Sequence, residues 1–138
     1  MQKVVIDTNI LISALITRSY PYYIIFDLFL EQKVQLCISD DLLQEYYEVL
    51  NRPKFARYLD FINKAESLLA NIELRAAKYS PTIKLLIISD IDDNMLLELA
   101  HESEADFLIT GNTNDFTMAS YEQTKIVTPK DYWENHKS

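Results

Sequence analysis

Short apolar runs alternate along this chain with longer segments of helical periodicity, and that alternation restricts the fold more than any other feature. "KVVID" (residues 3–7) reads as a strand buried on both faces, because its β-branched residues run on without polar alternation. Helical patterns follow over residues 10 to about 17 and over 21–31, where Pro21 suits a first helical turn. "VQLCIS" (34–39) reads as a second strand, and a helix is expected from about 40 to 51, ahead of Pro53. "RPKFARYLDF" suggests a short helical turn, and a long helix is expected over about 63–78. "IKLLIIS" (83–89) is extended, without an evident place in a sheet. A helix over 92–102, strands at "DFLIT" and "TKIVT", and a short helix opened by Pro129 complete the pattern. Strands alternating with helices predict βαβ units: a three-layer α/β/α fold around a mostly parallel sheet of four to five strands. At 138 residues the chain is expected to be a single domain spanning 1–138.

Composition narrows the function. A formal net charge of −8 argues against a broad basic surface for nucleic acid. It weighs less against a metal-dependent nuclease, because bound divalent ions offset several acids and turn the local field positive. The chain shows no signal-peptide pattern and no apolar stretch near the roughly 20 residues of a membrane span. Cys37 is the only cysteine, so no internal disulfide forms, and in "LCIS" it reads as a buried, reduced thiol of a cytoplasmic protein. His101 and His136 lack companions for a zinc site. With Gly111 as the sole glycine, neither a P-loop nor a GxGxxG turn can be built.

The acids fall in a pattern. In open α/β sheets ligands bind beyond the carboxyl ends of the strands. Asp7, Thr8 and Asn9 follow the first strand, Gly111 and Asn112 follow "FLIT", the helix after the second strand carries Glu45, and "SDIDDNMLLELA" crowds Asp90, Asp92 and Asp93 at a helix start. In the Glu45 helix the apolar face holds Leu42, Leu43, Tyr46, Val49 and Leu50. Glu45 flanks that face and Glu48 points to solvent. Asp93 shares the inward side with Leu96, Leu99 and Ala100, and Glu98 lies opposite. An inward acid calls for a partner or a metal. Singly, Asp7 reads equally as a turn or cap residue, Glu45 as a helix-edge acid, and Asp92 as an N-cap. Jointly they favour a metal site. An EF-hand is excluded, since Met95 and His101 stand where its glycine and last glutamate belong. A DxD phosphatase fits poorly, with Asn94 in place of the expected Thr or Val.

The ordered set resembles one family. "VVIDTNILISAL" resembles the opening of PIN domains, "SDDLLQEYYEVLNRPKF" their glutamate-bearing segment, and "DIDDNMLLELAHESEADFLITGNTNDF" their later acidic segments as found in PIN-family toxins. The resemblance implies that Asp7, Glu45 and Asp93 are the principal acids, with Asp90 and Asp92 assisting. The aspartate of the family's "TGD" falls here on Asn112, and Asp115 stands three residues on. What it implies is a Mg²⁺- or Mn²⁺-dependent ribonuclease, the toxin of a toxin–antitoxin pair, with RNA as substrate and an antitoxin protein as partner. Metal ligands would be Asp7, Asp93, Glu45 and Asp90. Thr8, Asn9, Ser13, Thr110, Asp92 and Asp115 would support them by hydrogen bonds. Arg52, Lys54 and Arg57 are candidates to hold the RNA backbone, against the alternative of a solvated turn. Tyr20, Tyr22 and Tyr23, beside Arg18, offer stacking surface for bases, and core packing or a homodimer interface explains them at least as well. The competing readings are a PIN-like module, weakened by Asn112, that binds RNA or protein without cutting, and an aspartyl-phosphate enzyme.

Overall fold

The computed structural model describes the chain except for residues 89, 112–115 and 117. The first strand, β1 (Lys3–Ile6), leads into helix α1 (Thr8–Ile16). Helix α2 (Tyr20–Tyr23), with Pro21 in its first turn, widens into a π-helical stretch over Ile24–Phe29. Strand β2 (Gln35–Ile38) precedes α3 (Asp40–Leu50). Ser39 caps α3 by accepting from the Leu42 N–H at 3.1 Å, and Asp40 and Asp41 sit in its first turn, where the helix dipole favours negative charge. A 3₁₀ turn (Pro53–Arg57), α4 (Phe61–Arg75) and the two-residue strand β3 (Ala77–Lys78) follow. Then come α5 (Ile91–Ser103), β4 (Phe107–Ile109), β5 (Ser120–Tyr121) and β6 (Thr124–Val127). The last helix, α6 (Pro129–Asp131), continues as a π turn over Tyr132–His136. One glycine leaves the tight corners to other residues: Gln32, Asp60, Glu104 and Glu122 all hold left-handed backbone, with φ between 53° and 58°.

The sheet runs β3-β2-β1-β4-β6-β5, parallel throughout except for the β5–β6 hairpin. Val4, Val5 and Ile6 are all fully buried, so both faces of the central strand are covered. Helix α5 packs across β1, β2 and β4, while α1, α3 and α4 pack on one another and α4 reaches β2. The winding reverses between β1 and β4. That is the topological switch point, where the carboxyl ends of adjacent parallel strands open a crevice. No described helix is long and apolar enough to cross a membrane.

The mostly parallel sheet flanked by helices is as expected, but it has six strands rather than four to five. Both additions are two-residue edge strands, too short to carry a period. The α4 helix stops at Arg75, not Lys78, because Ala77 and Lys78 pair with Cys37 and Ile38 instead. The extended stretch from 81 to 88 joins no strand; its backbone N–H groups bond side chains of α5. That cover also corrects the expected outer position of Glu98. It is only 7% exposed and accepts from the Leu85 N–H at 2.8 Å.

Candidate active site

Asp7 emerges from β1 at the switch point. Its own N–H bonds the Ile109 carbonyl of β4 at 3.0 Å, so the two strand ends hold it jointly. The fully buried Thr110 hydroxyl donates to Asp7 Oδ2 at 2.8 Å. Asp7 occupies the N-cap position of α1 without capping it by its side chain, so the turn-and-cap reading does not explain the carboxylate. It is buried to 9% exposure.

Helix α3 is fastened to the same strand end by two successive residues. The Thr8 hydroxyl donates to Glu45 Oε2, and the buried Tyr46 hydroxyl donates to the Ile6 carbonyl. Asp7 therefore lies between two residues that are each bonded to α3. Burial pushes the Glu45 carboxyl above the usual carboxylate range. The Thr8 bond opposes that rise, while the nearby charges of Asp92 and Asp7 add to it. Burial likewise pushes the Tyr46 phenol well above its ordinary value, which keeps it a donor.

Helix α5 contributes the third side. Asp90, not Asp92, is its N-cap, and accepts from the Asp92 N–H at 2.8 Å. Asp93, 7% exposed, lies on the inner side as the helical phase predicts. Asp7, Glu45, Asp90, Asp92 and Asp93 all line one open pocket of about 440 Å³, together with Thr8 and Asn9. The same pocket is also lined by Arg52, Lys54, Val49 and Phe55. One pocket thus carries acidic, basic and apolar side chains together.

Other expected residues stand apart. Ser13 on α1 and Arg57 do not line the pocket, and the Arg57 guanidinium lies 5.0 Å over the Tyr58 ring. Asn112 and Asp115 lie outside the described residues. Glu48 is a surface acid, 3.7 Å from Arg52. The tyrosines are half-buried and make contacts within the chain: Tyr20 donates to Glu134, Tyr23 meets Trp133, and Tyr22 stacks on Phe26 at 4.6 Å. Tyr46 escaped notice in the sequence because a tyrosine on an apolar helix face reads as core. Asn94, which bonds the backbone on both sides of residue 89, figured in the sequence only at a motif position, and nothing there pointed to these bonds.

A family profile for the PIN domain matches residues 3–114. The chain belongs to the PIN-domain family. It is also 31% identical over 140 residues to an uncharacterized protein of Methanocaldococcus jannaschii, covering 96% of this chain and 90% of the relative. PIN domains are generally nucleases, commonly found in toxin–antitoxin systems, and they typically use divalent metal ions. The donors gathered in this PIN domain's pocket are carboxylate and hydroxyl oxygens, the set that hard divalent cations prefer. Among the described residues, however, no three His, Cys, Asp or Glu side chains close into a ready-made ligand group. The acids share the pocket without being clamped together.

Proposed function

We propose that this PIN domain is a Mg²⁺- or Mn²⁺-dependent endoribonuclease, acting in the cytoplasm as the toxin of a toxin–antitoxin pair and folding as one domain. One observation supports the reading above others. Five carboxylates from three separate elements line one pocket at the switch point, together with Arg52 and Lys54. Asp7 and Asp93 would hold the ion, joined by Glu45 and Asp90. The chemistry supplied by such an ion is acidification of the attacking water and offset of charge on the scissile phosphate. Thr110 orients the Asp7 carboxylate and Thr8 orients that of Glu45. Glu45, lining the same pocket with a raised proton affinity, would be suited to orient that water. Arg52 and Lys54 would take the phosphates flanking the cut.

The choice of RNA and the toxin role rest on the resemblance of the acidic segments to PIN-family toxins. The test is cleavage of RNA and of DNA oligonucleotides by purified protein with Mn²⁺. RNA should be cut, and Asp7→Asn, Glu45→Gln and Asp93→Asn should each lower the rate by at least about a hundredfold while leaving the far-ultraviolet circular dichroism unchanged. Near-wild-type cutting by all three variants would remove the assignment. A second reading, a binding module that does not cut, draws support from Asn112 in the place of the family's aspartate. Tight RNA binding without cleavage in any divalent metal would favour it.

A further inference from the structure

Residues 81–88 cross α5 outside the sheet. Their apolar side chains are divided: Ile88 is buried and Leu85 packs against the core, while Leu86 is 93% exposed and Ile87 45%. Side chains recurring every fourth residue of α5 hold the segment by its backbone. Glu102 accepts from Thr82 at 3.3 Å, and Glu98 from Leu85 at 2.8 Å. Asn94, buried at the upper end of this row, does more than accept. Its Oδ1 takes the N–H groups of Ile87 (3.2 Å) and Ile88 (2.9 Å), while its Nδ2 donates to the carbonyls of Ile88 and of Asp90 (3.3 Å). A side-chain amide offers two donors and one oxygen with two acceptor sites, and all four are used. No other side chain of that size offers two donors beside a carbonyl oxygen. An aspartate there would turn a charge toward two carbonyls.

Asn94 therefore grips the chain on both sides of residue 89 and again through its own N–H, which bonds the Asp90 carbonyl at 3.2 Å. Asp90 in turn caps α5, and Asp93 precedes Asn94 directly. Resting on the nuclease reading above, we propose that Asn94 is a positioning residue: its four side-chain hydrogen bonds fix the Asp90–Asp93 corner of the acidic pocket for metal binding. It touches neither substrate nor metal and acts through the backbone that carries the acids.

The experiment compares full-length wild type with Asn94→Asp, Asn94→Ala and Glu102→Ala. Mn²⁺ binding is measured by calorimetry without RNA, amide hydrogen exchange is followed by residue, and kcat and KM for RNA are determined. Both Asn94 variants should retain protection in β1 and β4 yet exchange at least about tenfold faster at Ile87 and Ile88. They should bind Mn²⁺ roughly 10–100-fold more weakly. The loss in cleavage should fall on kcat, with KM for RNA held within about twofold. Glu102→Ala releases Thr82 but should bind Mn²⁺ as wild type does. Wild-type Mn²⁺ affinity in both Asn94 variants overturns the positioning role and leaves the nuclease reading standing. So does an equal loss in Glu102→Ala, since the segment rather than Asn94 would then set the corner. A wild-type protein that neither binds Mn²⁺ nor cuts RNA overturns both.

Discussion

Glu45 is half-buried on the wall of a pocket that holds four aspartates. Burial raises its pKa first, and the charges of Asp92 and Asp7 raise it further, against the opposing bond from Thr8. For a carboxyl the sign follows directly. The folded protein binds this proton more tightly than the unfolded chain, so the associated stability is present below the unfolded carboxylate pKa and is lost as pH rises through the raised folded value. Metal-free protein should therefore melt at a lower temperature as pH climbs through that window, and Glu45→Gln should lose less over the same range. The difference between the two melting profiles in chelator isolates Glu45 from the other acids. Parallel profiles would mean that solvent and Thr8 together cancel the shift.

The 3₁₀ turn over Pro53–Arg57 shows how an element can divide one charge cluster. Arg52 and Lys54 line the pocket, whereas Arg57 is turned onto Tyr58, its Nη2 bonding the phenol oxygen at 3.0 Å. Replacing all three with Ala should weaken RNA binding and flatten its dependence on salt, by about 0.7 in log–log slope for each single-strand phosphate that is no longer neutralised. Most of that change should come from Arg52 and Lys54, and Arg57→Ala alone should shift little. Affinity measured from low to high salt decides it, and an unaltered slope in the triple variant returns the cluster to a solvated turn. The elements themselves were legible to different degrees. β1, β2 and β4 stood out as apolar runs because both sheet faces are covered there, and β6 by its Ile126–Val127 pair, although Lys125 is exposed. β3 and β5 did not, because two residues have no period and only partners across the sheet define them. The run "IKLLIIS" looked like a strand candidate because apolar content signals burial of some kind; here the backbone bonds side chains instead. The convergence of Asp7, Glu45 and Asp93 followed from strand ends and helical phase. The capping role of Asp90, the burial of Glu98 and the bonds of Tyr46 and Asn94 did not, since each depends on a segment remote in space or unpaired in the sheet.

Over the whole molecule the formal charge is −8, and five of the acids open onto a single pocket. Two carboxylates about 4 Å apart repel by roughly 4 kcal/mol at an effective dielectric near 20. Folding must bear some of that repulsion; at Glu45 it adds to the larger effect of burial in raising the proton affinity. A divalent ion that binds only the folded chain should then stabilise the entire cooperative unit, by about 2.7 kcal/mol at a hundredfold excess over its dissociation constant. Bulk salt lacks the specificity for this, because exposed charges are merely screened. Mn²⁺ or Mg²⁺ should raise the melting temperature, while an equal ionic strength of NaCl should not. Asp93→Asn should remove most of the rise, since it withdraws one charge from the inner wall of the pocket, and Glu48→Gln, which alters a surface acid paired loosely with Arg52, should leave it in place. The measurement is a thermal melt of the three proteins in chelator, in NaCl and in each divalent salt. An equal metal-dependent rise in Asp93→Asn, or none in wild type, would reduce these aspartates to helix-terminal charge with no metal to hold.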